Sequence, residues 1–421
     1  MKSSTAPADP ALIDSRTAAW RLLVVLAVAT LGNAAMYVLP VVLTVVQGEF
    51  GVSRSGASLP YTATMIGFGL GGVLCGRWAD RYGIARVVQI GAAAVVAGFV
   101  LASVSNHIVL FTLAHALLLG LLGVASAFVP LIADTGLWWH RRRGIAVAVC
   151  ASGNYLAGAI WPPLVQWGLD AHGWRPTYVV FGLATGLAMA LLSLLLRQRP
   201  PAVQPAPAMA ASSSSGQGPD RPFGLAPGRA QAWLFVAGIG CCVAMAMPQV
   251  HIVAYCTGLG YGPARGAQML SLMLGFGIVS RLASGWVADR IGGLRTLLLG
   301  SALQCIALLL FLPFDGLGSL YVVSALFGLF QGGIVPSYAI IVREHFAVRE
   351  AGARVGTIVL GTLVGMALGG WLSGAIFDLT GSYRMAFVNG IGWNLLNLAI
   401  VAGLFLRARR GRLALERVQP A

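Results

Sequence analysis

Twelve stretches of the chain are each long and apolar enough to cross a lipid bilayer, and this pattern constrains the fold more than any other feature. A membrane-spanning helix needs about 20 predominantly apolar residues. The chain has 421 residues, of which 57% are hydrophobic and only 10% are charged, and such runs recur along its whole length. We number them span 1 to span 12, with these approximate limits: 20–46, 57–76, 84–104, 108–132, 144–169, 176–196, 231–256, 264–286, 295–313, 318–341, 353–377 and 385–406.

The sequence therefore predicts an all-α membrane protein with twelve transmembrane helices in two six-helix halves. A polar segment rich in Pro, Ala and Ser divides the spans six and six, and this composition is typical of a flexible linker. The predicted parts are a cytoplasmic tail at 1–19, an N-terminal bundle at 20–196, a linker at 197–230, a C-terminal bundle at 231–406 and a cytoplasmic tail at 407–421.

The positive charges lie mostly on one side of this arrangement. Of the 28 Lys and Arg residues, 23 fall in or next to the tails and the loops on the same side, four fall in or next to the loops on the opposite side, and Arg281 alone lies well inside a span. Cytoplasmic loops carry an excess of Lys and Arg. We therefore expect both termini in the cytoplasm of a multi-pass protein of a bacterial inner membrane. The net charge of +15 is scattered between apolar runs, so a nucleic-acid partner is not expected.

A short motif occurs twice, once after span 2 as GRWADRYGIAR and once after span 8 as GWVADRIGGLR. Its glycines permit a tight loop and close helix contact. Its aspartate, at a helix end, can accept hydrogen bonds from arginines or from helix N-termini. We interpret the motif as a latch that holds one side of the protein closed in one state and releases it in the other. The predicted gating residues are Gly76, Asp80, Arg81, Gly83, Arg86, Gly285, Asp289, Arg290, Gly292 and Arg295.

The duplicated Gly-x-x-x-Asp-Arg-x-Gly-x-x-Arg motif resembles the signature loop of the major facilitator superfamily. This resemblance implies a secondary transporter with two parallel six-helix halves and a substrate site between them near the membrane midplane. The segment LWWHRRRGIAVAVCASGNYLAGAIWPPL, from Leu137 to Leu164, is similar to the fourth-loop and helix-5 pattern of the monocarboxylate-porter branch, which includes bacterial carboxylate carriers. Carriers of that branch place an arginine in span 8, at the position of Arg281.

Two departures from this branch bear on substrate and coupling. Animal members carry an acidic residue one turn before the span-8 arginine, where this chain has Gly277, so their usual proton relay is not reproduced. The oxalate:formate exchangers carry a lysine in span 11, but residues 355–374 contain no Lys or Arg. One arginine provides a bidentate fork for one carboxylate. The residues therefore favour a monocarboxylate over oxalate.

Arg281 is the main candidate for binding the substrate. All thirteen acidic residues are expected in the tails or in or beside the loops, so an intramembrane carboxylate partner is not expected. A buried arginine costs at least ~2.5–3.5 kcal/mol on insertion scales. Asp289 marks the helix end about 12 Å away, a long reach for a snorkelling side chain. The pattern indicates an anionic substrate, and the alternative is a structural arginine satisfied by backbone carbonyls and water.

Other polar residues inside the spans are candidates to line the site or to couple protons. The further candidates for substrate binding are Asn33, Tyr37, Asn154, Tyr338 and Gln331. Each of them can instead join helices by hydrogen bonding. His115 and His251 are the candidates for proton coupling, because histidine changes charge near physiological pH. Prolines in spans 1, 4, 5, 7 and 10 are expected to kink those helices.

We interpret the chain as a secondary transporter that moves a small organic monocarboxylate by alternating access with proton symport, with exchange left open. The expected partners are the carboxylate, protons and the lipid bilayer, and the chain is expected to act as a monomer. No P-loop motif is present in the sequence, and neither a cofactor nor a metal is expected. The six cysteines are interpreted as buried hydrophobic residues.

Four rival functions are disfavoured by the same residues. A nitrate carrier would need a second arginine in span 2, and a multidrug exporter would normally need an acid inside a span. A transporter-like sensor would need a signalling module, for which the C-terminal tail is too short. A membrane enzyme would need a nucleophile–base pair or a metal cluster, and the spans contain neither pattern.

Overall fold

The chain forms two compact units, Met1–Ala211 and Ser212–Ala421, each built from helices. The structure, a computed structural model, describes residues 12–198, 222–347 and 350–418. All regular structure within these ranges is helical, which confirms the predicted all-α class.

In the described part of the first unit, spans 1 and 4 are composite and the other four spans are single helices. The α-helices are α1 (Arg16–Gly32), α2 (Ala34–Phe50), α3 (Arg54–Tyr82), α4 (Ile84–Ser103), α5 (Ile108–Leu113), α6 (Val129–Trp138), α7 (Arg143–His172) and α8 (Trp174–Leu194). A π-helical segment, Ala114–Val124, follows α5 within span 4. Span 1 therefore consists of α1 and α2, and span 4 consists of α5, the π-helical segment and α6.

In the described part of the second unit, span 10 is the composite one. After a short 3₁₀ turn at Pro222–Gly224, the helices are α9 (Pro227–Gly258), α10 (Pro263–Ile291), α11 (Gly293–Leu310), α12 (Leu317–Gln331), α13 (Ile334–His345), α14 (Ala351–Thr380) and α15 (Tyr383–Val418). Span 10 consists of α12 and α13. Among the residues that the structure describes, 12 helical segments are long and apolar enough to cross a membrane, as predicted.

Several helices extend past the ends of the apolar runs. The first begins at Arg16 and the last reaches Val418, whereas the predicted bundles start at 20 and end at 406. Helix hydrogen bonds join backbone groups and need no apolar side chains. Hydropathy therefore marks the segment suited to the bilayer and not the end of the helix. Most of the predicted linker, residues 199–221, lies outside the described residues.

In two spans the helix is interrupted two to four residues before a proline. Residues 127–128 form a turn before Pro130 in span 4, and residues 332–333 form a turn before Pro336 in span 10. Proline has no N–H to donate, and its ring clashes with the carbonyl four residues earlier. The break in span 10 interrupts the helix next to Gln331, the last residue of α12.

Glycines bring α10 and α12 into backbone contact within the second unit. A Cβ added at Gly328 would lie 1.9 Å from the carbonyl oxygen of Met273, and one at Gly332 would lie 2.3 Å from that of Gly277. Small residues spaced by four allow such close approach of two membrane helices. The contact sets Gly277 beside the break in span 10, with Arg281 one turn further along α10.

Candidate functional site

Arg281 lies on α10, ten residues before the helix ends at Ile291. Its side chain is half-buried, and the residues one and two turns before it, Gly277 and Leu274, are buried. The distance along the axis to the helix end is about 15 Å at 1.5 Å per residue. An ionisable side chain at such a depth is typical of a substrate or ion pathway in a membrane protein.

A pair of buried amides lies at the break in span 10. Gln249 of α9 donates from Nε2 to Oε1 of Gln331 over 2.9 Å. Gln331 is fully buried and Gln249 nearly so. Gln331 was a predicted substrate-binding residue, and the structure adds Gln249 as its partner.

His251 on α9 lies in a polar arrangement with two other helices of the same unit. Its Nε2 is 2.8 Å from the carbonyl oxygen of Gly370, and its Nδ1 is 3.0 Å from the hydroxyl of Tyr383. Because a carbonyl only accepts, Nε2 carries a proton, and in the neutral ring Nδ1 accepts from the tyrosine hydroxyl. The protonated ring can donate at both nitrogens if that hydroxyl turns away. The arrangement therefore accommodates both charge states.

His115 has a different environment, in an aromatic cluster of the first unit. It lies in the π-helical segment, fully buried, with its ring 4.6 Å from that of Phe111. Its Nε2 is 3.4 Å from the hydroxyl of Tyr178, and its Nδ1 has no hydrogen-bond partner among the described residues. Such surroundings disfavour the charged imidazolium. Of the two predicted proton-coupling residues, His251 has the better hydrogen-bonding environment.

Three predicted substrate-binding residues of the first unit form one hydrogen-bonded chain. The hydroxyl of Tyr37 donates to Oδ1 of Asn154 over 2.8 Å, and Nδ2 of Asn154 donates to Oδ1 of Asn33 over 2.9 Å. Asn33 also donates to the carbonyl oxygen of Ala29, at the junction of α1 and α2. The chain of bonds joins span 1 to α7, and it holds the half-buried Asn154 in a defined orientation.

Tyr338 is packed in the interior of the second unit. Its hydroxyl donates to Oδ1 of Asn397 over 3.1 Å, and Asn397 donates to Oγ of Ser301 over 2.8 Å. The ring is part of a buried hydrophobic cluster that includes Cys241 and Leu297. These contacts give Tyr338 a packing role, and its predicted role in substrate binding stays a prediction.

The two copies of the loop motif have the same backbone geometry. Gly83 has a φ of 84° and Gly292 a φ of 83°, in a region that residues with a Cβ rarely adopt. The first glycine of each copy, Gly76 or Gly285, has open space around its Cβ position. The structure therefore requires glycine for the turn but not, at these first positions, for close helix contact.

The arginines of the motif are arranged on aromatic rings or exposed. The guanidinium of Arg81 lies 5.3 Å from the Tyr82 ring, and that of Arg290 lies 3.5 Å from the Trp286 ring. The last arginine of each copy, Arg86 or Arg295, is exposed in the first turn of the next helix. These positions suit interfacial anchors and leave the side chains accessible.

Next to the second copy of the motif, the carboxylate that caps the following helix belongs to Glu344 and not to the predicted Asp289. Glu344 at the end of α13 accepts from the backbone N–H of Gly293 at both carboxylate oxygens, each over 3.1 Å. A carboxylate at a helix N-terminus is stabilised by the helix dipole. Within the described ranges, no hydrogen bond or ion pair is found for Asp80 or Asp289, so the latch stays a prediction. Sequence reasoning missed Glu344 because it belongs to another span.

Comparison with known proteins agrees with this architecture. The family model described as Major Facilitator Superfamily matches residues 22–319 and, in a second match, 282–420. The chain belongs to the major facilitator superfamily. This multi-pass membrane protein is therefore a transporter by family, and the predicted resemblance is confirmed.

Relatives of this superfamily member are similar at low identity. Monocarboxylate transporter 13 from Bos taurus is 27% identical over 338 residues, covering 79% of this chain and 74% of the relative. The MFS-type transporter pynF from Aspergillus niger is 25% identical over 340 residues, covering 79% and 74%. A solved structure of a mutant of the nucleoside transporter NupG has a TM-score of 0.70 at 14% identity, covering 91% of this chain and 99% of that one. This structural likeness shows a shared fold and nothing beyond it.

The superfamily member also contains a buried ion pair that the sequence did not predict. Asp134, like the other acidic residues, was expected in the tails or in or beside the loops, but the structure places it in α6 with only 7% of its surface exposed. Arg21 of α1, 5% exposed, donates to it from Nε over 3.1 Å and from Nη2 over 2.9 Å. The guanidinium also lies 4.5 Å from the Trp138 ring. Arg281 is therefore not the only formal charge inside a helical span.

This ion pair ties together three parts of the first unit. Besides bonding Asp134 of α6, the Nη2 of Arg21 donates to the carbonyl oxygen of Leu196, just after α8, over 3.4 Å. Nearby, Asp14 accepts from the backbone N–H groups of His140 and Arg141. The aromatic and basic segment that resembles the monocarboxylate-porter pattern is thus held by residues at the start of span 1. The only signal in the sequence was an acid one turn before Trp138.

Proposed function

We propose that this transporter carries a small organic monocarboxylate across a bacterial inner membrane by alternating access, coupled to proton symport. In alternating access the substrate site opens to one side of the membrane at a time. The distribution of Lys and Arg residues supports a cytoplasmic position for both termini in this proposal.

The position and charge of Arg281 carry this proposal. A guanidinium presents a planar fork of N–H donors that matches a carboxylate. It lies inside a glycine-packed span, ten residues before the helix end, where a permanent charge is costly and typical of a functional site. The similarity to monocarboxylate transporter 13 supports the same substrate class.

The number of charges favours one carboxylate on the substrate. Residues 355–374 of α14 contain no Lys or Arg, and Arg354 lies in the first turn of that helix, where it pairs with Glu350 over 2.6 Å. A dicarboxylate would leave its second charge without such a partner, at a cost in desolvation. Monocarboxylates are therefore expected to be transported in preference to oxalate.

Uptake into proteoliposomes tests the substrate class. A labelled panel of pyruvate, lactate, benzoate, oxalate and nitrate is supplied with and without an inward acid gradient. We expect saturable uptake of at least one monocarboxylate, stimulated by the gradient, and little uptake of oxalate or nitrate. Uptake of nitrate or oxalate alone would contradict the proposal, and gradient-independent exchange would replace symport. Saturable binding without uptake would identify a sensor.

His251→Gln is expected to abolish stimulation of uptake by an acid gradient. Glutamine keeps hydrogen-bonding capacity beside Gly370 and Tyr383 but cannot take up a proton. Exchange of labelled for unlabelled substrate at equal pH is expected to continue. The measurement is initial uptake with and without the gradient, together with counterflow.

His115→Phe is the matched control, because an aromatic side chain fits the cluster of Phe111 and Tyr178. It is expected to retain the stimulation. If His251→Gln keeps full stimulation, the substrate brings its own proton or another group couples it. If His115→Phe loses stimulation instead, the roles of the two histidines are reversed.

A further inference from the structure

The amide pair at the break in span 10 has an unused donor. Gln331 accepts from Gln249 with its Oε1, but its Nε2 is buried and has no hydrogen-bond partner in the described part of the chain. A side-chain amide nitrogen provides two N–H groups and no acceptor. A buried donor without a partner destabilises the protein unless another group accepts from it. A group with a free lone pair, such as an oxygen of a ligand, would satisfy this donor.

Helix packing places this donor beside the part of α10 that carries Arg281. Gly332, which follows Gln331, is in backbone contact with Gly277. Gln249 belongs to α9, which itself packs on α10 where Gly266 meets Val253. Gln331 therefore lies where α9, α10 and α12 meet, and Arg281 follows one helical turn after Gly277. All of these residues belong to the second unit.

We propose that Gln331 binds the oxygen on C2 of the substrate, so that the transporter selects short 2-oxo monocarboxylates. This assignment rests on the proposed function, in which Arg281 binds the carboxylate. The carboxylate and the C2 oxygen are adjacent in such an acid, and here Gln331 precedes Gly332, which contacts Gly277 one helical turn before Arg281. The Oε1 of Gln331 already accepts one hydrogen bond from Gln249, whereas its buried Nε2 donates none, so the free hydrogen-bonding group offered to the ligand is a donor.

The unpartnered N–H donor of Gln331 ranks three acids of similar size. A keto oxygen, as in pyruvate, accepts a hydrogen bond and carries no hydrogen that would need an acceptor of its own. The hydroxyl of lactate can accept, but its own hydrogen needs a separate acceptor. Propionate has no oxygen on C2 and leaves the buried donor unsatisfied. Sites built to bond a substrate group discriminate strongly against analogues that lack it.

The test compares kcat/KM for uptake of pyruvate, lactate and propionate by the full-length transporter in proteoliposomes. The parent is expected to prefer pyruvate over propionate by on the order of 10-fold or more. Gln331→Met removes the donor at similar volume, and it is expected to lose the preference mainly through slower pyruvate uptake, with propionate uptake retained. Gln304→Met is the matched control, because Gln304 is also fully buried but bonds the carbonyl of Cys241.

A second variant tests the donor argument in the opposite direction. Gln249→Met frees the Oε1 of Gln331, which can then accept from a hydroxyl, so the ratio of lactate to pyruvate uptake is expected to rise. A purely structural amide pair would not produce this change.

Two results would overturn the assignment. One is a parent that transports pyruvate and propionate equally well. The other is a Gln331→Met variant that retains the parent's preference or lowers uptake of both acids by the same factor. If the parent transports none of the three acids but takes up benzoate, the assignment of 2-oxo acids fails and the proposed function stands. If it takes up no monocarboxylate of either panel, the proposed function fails as well.

Discussion

Arg281→Gln is expected to reduce carboxylate uptake by at least about 30-fold. Removing one member of a desolvated charge pair costs about 2–5 kcal/mol, and each 1.4 kcal/mol is about a factor of ten. Glutamine keeps length and polarity but offers neither the charge nor the guanidinium fork. The loss is expected in substrate affinity, measured as KM for uptake and as binding to the purified protein.

Two variants separate charge, geometry and folding in this experiment. Arg281→Lys retains the charge without the planar fork, so an intermediate loss is expected. Arg265→Gln removes an exposed arginine in the first turn of the same helix and is expected to leave uptake unchanged. If Arg281→Gln transports as well as the parent, the arginine is structural. The monocarboxylate proposal would then rest on family similarity alone.

Asp134→Leu is expected to lower the free energy of unfolding by about 3–5 kcal/mol, because it leaves the buried guanidinium of Arg21 without its counter-charge. Both side chains are nearly inaccessible to solvent, with exposed fractions of 6% and 8%. The contacts of Arg21 with Trp138 and with the carbonyl of Leu196 remain but carry no negative charge. The measurement is thermal unfolding of the purified protein in detergent.

The double variant Arg21→Met/Asp134→Leu is expected to recover most of that stability, since a buried ion pair can be replaced by apolar residues of similar size. Glu49→Gln is the matched control, because its pair with Arg175 is far more exposed, at 39% and 33%, and such pairs contribute about 0–1 kcal/mol. A double variant as unstable as the single one would show that the two residues do not act as a pair. Loss of uptake by a stable double variant would assign the pair a role in transport.

The sequence revealed those features of the candidate site whose residues lie close together along the chain, and it missed the contacts between distant residues. Arg281 was identifiable because one charge within an apolar run is a local pattern, and Gly83 and Gly292 because one motif contains the whole turn. The contact between Gln249 and Gln331 joins residues 82 positions apart, and the Arg21–Asp134 pair joins residues 113 positions apart. No spacing rule connects such residues.

The sequence alone determined the twelve spans, the duplicated turn and the depth of Arg281 in span 8. The spans can be recognised in this way because each crossing of the bilayer requires a continuous run of about 20 predominantly apolar residues. The rotation of each helix about its axis was decided by the tertiary structure. Lipid tails and the protein interior are both apolar, so a membrane helix lacks the amphipathic stripe that shows which face is buried. Glycine contacts such as Gly332 against Gly277 set that rotation in the second unit and thereby place Gln331 beside α10. Helix packing likewise places Glu344 at the start of α11 and Asp134 against Arg21.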